Sequence, residues 1–259
     1  MAGSRRVAVV TGARRGIGRG ICYALASAGF DLAMIDVAED AASHETLAGA
    51  RERGANALFL RGDIAEIGGH AAALDVVYRT FGAVDCLVNN AGVSVAQRGD
   101  VLDVTPESFD RVVGINLRGT FFFTQATARR MIAEPRAVDA PPRAIITISS
   151  INVWVVGPDR AEYCIAKTGL TMMTKILAVR LAAHRICTYE IRPGIIATDM
   201  TAVAKQKYDR LIGEGLTPMA RWGQPDDIGA AVAVLASGAL PFATGDAYHI
   251  DGGMHIFKV

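Results

Sequence analysis

A tyrosine, a lysine and a serine in the second half of the chain have the types and spacing needed to transfer a proton. Tyr163 and Lys167 lie four residues apart in a helical pattern, so their side chains share one helix face. Ser150 ends a short apolar segment that is typical of a strand. A free tyrosine has a pKa of about 10, and a nearby ammonium group stabilises its phenolate. The three residues predict a tyrosine that accepts or donates a proton while Ser150 holds the reacting oxygen.

A glycine-rich turn early in the chain predicts a phosphate site. It follows an apolar segment and leads into a helical pattern, with the sequence Thr11-Gly12-Ala13-Arg14-Arg15-Gly16-Ile17-Gly18. Glycines let main-chain N–H groups approach a pyrophosphate, and the helix that follows directs its positive end to the same anion. An ordinary turn between a strand and a helix is the alternative. We expect a dinucleotide to contact Gly12, Arg14, Arg15, Gly16, Ile17 and Gly18.

Asp36 bears on which dinucleotide would bind. It ends the second apolar segment, 18 residues after Gly18. A carboxylate near this distance accepts hydrogen bonds from an adenosine ribose and repels a 2′-phosphate, so Asp36 favours NAD(H). Arg14 and Arg15 keep NADP(H) open as the alternative, because a guanidinium in the turn could bind that phosphate.

Short apolar segments alternate with helical patterns along the chain. The strand segments cover residues 7–11, 32–36, 57–60, 86–89, 144–149, 186–191 and 247–250. The helical patterns cover residues 17–28, 39–53, 66–81, 106–132, 161–183 and 225–236. This alternation predicts an α/β fold: a single doubly wound parallel sheet of the Rossmann type, with helices on both faces. We expect one domain over residues 1–259, with a substrate lid at about 195–220, where the alternation breaks.

Composition narrows the class of protein. Hydrophobic residues make up 51% of the chain, charged residues 20%, and the formal net charge is +1. This balance suits a chain with a large core and gives no support to nucleic-acid or membrane partners. The four cysteines form no Cys-x-x-Cys pair and the five histidines no zinc spacing, so we expect free thiols and no metal site. We also expect a cytoplasmic protein, since no signal peptide or membrane span is present.

Further motifs extend the set to both ends of the chain. Together they are the turn at 11–18, Asp63, Asn89-Asn90-Ala91-Gly92, Asn116, Ser150, Tyr163, Lys167, Arg192-Pro193-Gly194 and Asp251-Gly252-Gly253. They resemble the short-chain dehydrogenase/reductase family over essentially the whole chain. The resemblance implies that Asn116 joins Ser150, Tyr163 and Lys167 in catalysis by holding a water that links Lys167 to solvent. It implies cofactor contacts at Asp63, Ile64, Asn89, Ala91, Gly92, Tyr163, Lys167, Pro193, Gly194, Ile196 and Thr198.

The resemblance predicts an oxidoreductase that interconverts a secondary alcohol and a ketone, and it leaves the substrate open. The pattern is similar to the 3-oxoacyl-(acyl-carrier-protein) reductase branch, and Arg129 and Arg130 could dock an acidic carrier. The alternative is an NAD-dependent dehydrogenase of a polyol, sugar or cyclic alcohol. A scaffold that senses NAD(P) without catalysis would need only the glycine turn. The family also implies a homo-oligomer, a dimer or tetramer formed through the long helices.

Overall fold

The computed structural model describes residues 5–134, 136–137 and 139–256. Within them the strands are β1 (Arg6–Thr11), β2 (Phe30–Asp36), β3 (Ala57–Arg61), β4 (Cys86–Asn89), β5 (Arg143–Ile148), β6 (Ile186–Pro193) and β7 (Ala247–Ile250). The helices are α1 (Gly16–Ser27), α2 (Ala41–Glu52), α3 (His70–Phe81), α4 (Pro106–Val113), α5 (Thr120–Ala133), α6 (Ala161–Leu181), α7 (Asp199–Ala202), α8 (Lys205–Gly213) and α9 (Pro225–Ser237). Each predicted strand segment is a strand.

The strands form one parallel sheet in the order β3-β2-β1-β4-β5-β6-β7. The prediction of a doubly wound parallel sheet is therefore confirmed. The chain winds outward from β1 in one direction and from β4 in the other, so the strand order reverses between these two neighbours. In such sheets the ligand crevice lies outside the carboxyl ends of the strands at the reversal.

Helices bury both faces of the sheet, because its strands are apolar on both sides. On β1, Val10 packs into the core that contains Ile21 of α1 and Val232 of α9. Its neighbour Val9 points to the opposite core, with Phe123 of α5. Burying one such aliphatic side chain stabilises the fold by about 1.5–3 kcal/mol. The two cores fix the strand ends that carry the site.

The helix predicted over 106–132 is wrong in one respect, since it is interrupted in the middle. Helix α4 begins after Thr105, whose side chain accepts a hydrogen bond from the Ser108 N–H. A π-helical turn, Gly114–Gly119, then separates α4 from α5 and contains Asn116. The Asn116 side-chain amide is hydrogen-bonded to the main chain of Val93. The spacing of apolar residues cannot predict such a long-range hydrogen bond.

The segment at 195–220, where the alternation of strands and helices breaks, carries the short helices α7 and α8. Ile195, Tyr208 and Ile212 form a small apolar cluster of their own, apart from the two cores of the sheet. Such a satellite cluster holds the segment together as a unit. Its role as a lid stays a prediction. No helix among the described residues is long and apolar enough to cross a membrane.

Candidate active site

The predicted site residues come together at the carboxyl edge of the sheet. Gly12 follows β1, Asp36 ends β2, Asn89 ends β4, Ser150 follows β5 and Pro193 ends β6. The parallel direction of every strand brings these five ends to one edge. The crevice predicted at the reversal between β1 and β4 therefore lies between the glycine turn on one side and Ser150 and α6 on the other.

The glycine turn is shaped so that its main chain can lie against a ligand. Gly12 and Gly16 have positive φ angles of 64° and 56°, which favour glycine. A Cβ on Gly18 would lie 2.0 Å from the Gly12 carbonyl oxygen, so no other residue fits there without moving α1. Ile17 packs against the sheet core from the first turn of α1. The open N–H groups at the start of α1 are the donors an anion would use.

A second turn, after β4, locks the glycine turn in place. The Thr11 hydroxyl accepts hydrogen bonds from the Asn90 and Ala91 N–H groups, both at 3.1 Å. In return, the Asn90 side-chain amide donates to the Thr11 and Gly12 carbonyls at 3.0 and 2.9 Å. The two turns thus form one rigid unit at the reversal of strand order. Asn89 connects this unit to α5, because its side-chain amide donates a hydrogen bond to the Thr124 hydroxyl at 2.7 Å.

Asp36 and Arg14 are paired with each other. Asp36 accepts a hydrogen bond from the Arg14 N–H at 3.1 Å, and its carboxylate lies 3.7 Å from the Arg14 Nε. The Arg14 guanidinium also pairs with Asp40, the residue that caps α2. Two carboxylates therefore neutralise the guanidinium that could have bound a 2′-phosphate. This arrangement favours a cofactor with a free ribose hydroxyl.

Arg15 points away from Asp36, toward the segment at 195–220. Its guanidinium pairs with Asp199 of α7 at 2.7 Å, and both side chains are exposed. Thr198, which caps α7, faces Gly16 across the crevice, with its Cγ2 3.4 Å from the position of a Cβ on that glycine. The segment at 195–220 therefore borders the glycine turn directly. Arg15 is placed to join the two sides rather than to meet a 2′-phosphate.

The remaining predicted cofactor contacts sit at the two ends of the crevice. Beside β3, Asp63 accepts a hydrogen bond from the Ala65 N–H, and buried Ile64 presents its main chain to Gly119. At the other end, the Gly194 N–H donates to Ile250, and a Cβ on Gly194 would lie 2.7 Å from the Asp251 Cα. Ile196 is buried in the sheet core beyond this turn. The predicted adenine and nicotinamide ends thus flank the glycine turn.

Tyr163, Lys167 and Ser150 meet at the carboxyl end of β5. The Lys167 ammonium donates to the Ile148 carbonyl at 3.0 Å and lies 5.7 Å from the centre of the Tyr163 ring. The Ser150 hydroxyl accepts from the Asn152 N–H at 3.1 Å, which orients it at the strand end. The Ser150 hydroxyl lies close enough to the Tyr163 phenol to oppose part of the rise in the Tyr163 pKa. The structure thus brings together the three residues that the sequence selects.

The charge states of this trio follow from burial. Burial raises the pKa of Tyr163, against the opposing effects of the Ser150 hydrogen bond and the charge of Arg160. In the folded chain the phenol therefore keeps its proton at neutral pH, contrary to the lowering expected from a neighbouring ammonium. Burial also lowers the pKa of Lys167 to about 8, while the charge of Glu190 acts in the opposite direction.

Asn116 lies in the π-helical turn beside Lys167. Its side-chain oxygen accepts from the Val93 N–H at 2.7 Å, and its amide donates to the Val93 carbonyl at 2.9 Å. A Cβ on Gly92 would lie 3.1 Å from that oxygen and 3.4 Å from the Lys167 Nζ, so only a glycine leaves room between them. Asn116 thus faces Lys167 across Gly92, where the predicted water would bind.

A buried ion pair behind the site was missed at the level of the sequence. Glu190 of β6 accepts from Arg192 at 2.9 Å, from Thr171 of α6 at 2.9 Å and from Ser149 at 2.5 Å. This carboxylate joins β6 to the residue after β5 and to α6, and its charge acts on Lys167. An acid and a base two residues apart inside an apolar strand segment were the available signal, because a strand rarely buries charges unless they are paired.

One group of possible metal ligands occurs among the described residues. His249, Asp251 and His255 bring a carboxylate and two ring nitrogens within 4.8 Å of one another. The two imidazole rings are stacked, with centroids 4.1 Å apart and planes inclined by 24°. An ion must lie close to the plane of each ring that binds it, and stacked rings do not share such a point. The geometry gives this group a structural role, with His255 donating to Asp251 at 2.8 Å.

Comparison with known proteins agrees with this geometry. The family model described as enoyl-(acyl carrier protein) reductase matches residues 12–255. A 3-oxoacyl-[acyl-carrier protein] reductase from Brucella melitensis, solved in complex with NAD, is 49% identical, with a TM-score of 0.94 over 98% of this chain and 99% of that one. A putative short-chain dehydrogenase/reductase from Sinorhizobium meliloti is 42% identical, with a TM-score of 0.80 over the same shares. The 2-dehydro-3-deoxy-D-gluconate 5-dehydrogenase of Escherichia coli is 34% identical over 96% of this chain and 94% of its own length.

Proposed function

The chain belongs to the short-chain dehydrogenase/reductase family and is a nicotinamide-dependent oxidoreductase of secondary alcohols and ketones; we propose that it uses NAD(H) and Tyr163 for this reaction. The observation that carries the proposal is the meeting of Tyr163, Ser150 and Lys167 at the strand edge that also bears the glycine turn. A scaffold that only senses the cofactor would have no use for a buried ammonium beside a tyrosine and a serine.

The residues of the crevice fit a dinucleotide. The turns at 11–18 and 89–92 leave no room for a Cβ at Gly12 or Gly18, which suits a main chain that contacts phosphates closely. Asp36 would accept hydrogen bonds from the ribose, while Asp63 and Ile64 would border the adenine. Pro193, Gly194, Ile196 and Thr198 would line the nicotinamide, which supplies the hydride when the cofactor is bound.

The proton chemistry falls to this chain's own side chains. In reduction, Ser150 holds the ketone oxygen, and Tyr163 donates its phenolic proton to that oxygen. The Lys167 ammonium stabilises the phenolate left behind. Asn116 would hold the water through which Lys167 and Tyr163 regain a proton from solvent. In oxidation the same steps run backwards, and Tyr163 accepts the alcohol proton.

Two substrate classes remain candidates. The pairing of Asp36 with Arg14 favours an NAD-dependent dehydrogenase of a small hydroxy compound. The similarity to the Brucella melitensis reductase favours a 3-oxoacyl group on a carrier protein. Arg130, one of the two arginines that could dock such a carrier, already pairs with Asp75 at 2.7 Å and lies over the Tyr78 ring. We therefore place the small hydroxy compound first.

A homo-oligomer formed through α6 accompanies this proposal. Large apolar side chains are exposed on that helix, among them Met172, Ile176 and Val179, which is 86% exposed. Exposed apolar residues at helical spacing suit a contact with the same helix of a second copy. Light scattering would give a dimer or tetramer mass, and Val179→Glu would lower it. We also propose a cytoplasmic location, in keeping with four free cysteines.

The proposal is tested by a screen of secondary alcohols and ketones with both cofactors, followed as the change in nicotinamide absorbance. We expect turnover of at least one small hydroxy compound with NAD+ and a higher kcat/KM than with NADP+. Protection against thermal unfolding by NADH and NADPH gives a second readout that needs no substrate. Stronger protection by NADPH would contradict the assignment of Asp36, and an absence of turnover with any probe would contradict the proposed function.

A further inference from the structure

Arg160 is a positive charge beside the catalytic tyrosine that the proton chemistry does not use. It immediately precedes α6, three residues before Tyr163, and its charge acts on the phenol. Its backbone is not helical, so the nearness of its charge to the phenol comes from the fold of the loop before α6. A guanidinium in this position costs free energy to hold unless something binds it.

The partners of Arg160 within the chain are weak. Its Nε is buried and meets no hydrogen-bond acceptor among the described residues. Its Nη2 lies 3.5 Å from the Tyr208 hydroxyl, at the limit of a hydrogen bond, and its Nε lies 3.8 Å from the Asp159 carboxylate. By contrast, Arg192 makes two hydrogen bonds to Glu190, at 2.9 and 3.2 Å. The Arg160 guanidinium therefore has an Nε–H with no acceptor, and its other contacts within the described residues are long.

The nearby acid is already committed to another base. Asp159 accepts from Arg98 at 2.7 Å, and this hydrogen bond is the main cause that lowers the pKa of Asp159 and raises the pKa of Arg98. Two guanidinium groups therefore share one carboxylate, which leaves a net positive charge at this point. The Tyr208 hydroxyl, which also lies near Arg98 and Tyr163, adds a further donor.

Arg160 and Tyr208 lie next to each other and act on the Tyr163 phenol, so they are near the point at which the reacting carbon would be held. Arg160 comes from the start of α6, and Tyr208 comes from α8 in the segment at 195–220. Tyr208 is held in place by Ile195, Ile212 and the edge of the Trp222 ring. An underused guanidinium and a fixed hydroxyl, next to an acid that is already paired, are complementary to an anion.

We propose that Arg160, with Tyr208, binds a carboxylate of the substrate, so that the substrate is a small hydroxy acid and its product the keto acid. This inference rests on the proposed function and selects between its two substrate classes. A 3-oxoacyl thioester has no carboxylate to offer at this point, whereas an acidic sugar derivative has one. Arg160 would then determine specificity by orienting the acid, with its alcohol carbon placed at Tyr163.

The test compares an acid with its neutral counterpart in matched variants. The probes are 2-dehydro-3-deoxy-D-gluconate and its methyl ester, whose hydroxyl is oxidised with NAD+, and the acetoacetyl thioester of N-acetylcysteamine, whose ketone is reduced with NADH. The unmodified chain should use the acid with a kcat/KM at least tenfold above that of the ester. Arg160→Gln should lower kcat/KM for the acid by about 30–100-fold, mainly through KM, since a charged hydrogen bond is lost. For the ester, the same change should alter kcat/KM by less than about threefold, and Arg160→Lys should restore part of the preference.

Two controls separate this role from others. Arg210→Gln removes an exposed guanidinium from α8 close to Tyr208 and should leave the kinetics unchanged. Protection of the NADH complex against thermal unfolding by D-gluconate, relative to D-glucitol, should disappear in Arg160→Gln, and this readout needs no turnover. If Arg160 acted only on the tyrosine, the variant would lower kcat for acid and ester alike.

The possible outcomes separate a failure of the proposed carboxylate site from a failure of the proposed oxidoreductase function. Equal use of acid and ester, preference for the thioester, or equal losses in Arg160→Gln would overturn the carboxylate site and leave the oxidoreductase intact. Failure of D-gluconate to protect the NADH complex, together with turnover of neutral alcohols alone, would do the same. Failure of every alcohol and ketone with both cofactors would instead overturn the proposed function.

Discussion

The proposed cofactor half and substrate half of the crevice differ in whether main chain or side chains form their surface. The cofactor half, comprising the turns at 11–18 and 89–92 with Asp36, is made of main chain pressed against main chain. The proposed substrate half, comprising residues 152–160 and 199–222, presents side chains, and several large apolar ones such as Trp154, Val156 and Met200 are exposed. From this difference we expect the main chain to hold the cofactor rigidly, and individual side chains to select the substrate.

Gly18→Ala should have the largest effect in the cofactor half. The new Cβ would lie 2.0 Å from the Gly12 carbonyl oxygen, so α1 would have to move. We expect the affinity for NADH to fall about 100-fold and the free energy of unfolding to fall by about 2–3 kcal/mol, a Tm loss of about 5–10 °C. Titration calorimetry and thermal unfolding measure both. Gly68→Ala, where a Cβ meets nothing within 4 Å, is the control, and equal behaviour of the two variants would refute a close-packed cofactor half.

Asp36→Ser should change the choice of cofactor. The substitution removes the carboxylate that would repel a 2′-phosphate and releases one of the two partners of Arg14. We expect the ratio of NADPH to NADH affinity to rise at least tenfold, and further when Asp40→Ser is added and frees Arg14 completely. Binding of the two reduced cofactors measures the ratio. An unchanged ratio in the double variant would place the 2′-position elsewhere.

The rate of ketone reduction should depend on pH through Lys167. Its pKa of about 8 means that the ammonium is present below this pH and lost above it. Once it is lost, the phenolate that remains after Tyr163 donates its proton loses its nearest ammonium, so the reductive kcat should fall by up to about tenfold per pH unit above 8. Glu190→Gln removes the carboxylate that raises the Lys167 pKa, and the break should then move to lower pH. A profile that stays flat up to pH 10 would argue against this role for Lys167.

Asp199→Ala should have the smallest effect, although it cuts a contact between the two halves. The ion pair of Asp199 with Arg15 is exposed on both sides, and exposed pairs contribute less than about 1 kcal/mol. We expect Tm to stay within about 2 °C and KM for NADH to change less than about threefold. Steady-state kinetics at low and high salt test this. A large loss that salt reproduces in the unmodified chain would mean that the halves are held together electrostatically.

The positions of the glycine turn and Asp36 at the strand ends could be predicted from the sequence because their determinants are local. A glycine in the turn after a strand, or an aspartate at the end of one, can be placed in the fold from its position along the chain alone. Tyr163, Lys167 and Ser150 were predictable for the same reason, since a helix spacing and a strand end place them. The sheet followed from the alternation of apolar segments with helices.

Other features could not be predicted because they depend on distant contacts. The π-helical turn around Asn116 occurs where that side chain is hydrogen-bonded to Val93. The spacing of apolar residues does not predict this hydrogen bond. Arg160 looks like any polar residue before a helix until Tyr208 and Arg98 are placed beside it. The raised pKa of Tyr163 reflects burial, which is a property of the assembled crevice rather than of the motif.

The central claim is that Tyr163 transfers the proton, and Tyr163→Phe tests it most directly. The substitution removes only the hydroxyl and leaves the ring in place beside Lys167. With the best substrate from the screen, kcat should fall by about 10²–10⁴-fold, while protection against thermal unfolding by NADH stays as in the unmodified chain. Turnover that survives the loss of the hydroxyl, with NADH binding intact, would contradict the account.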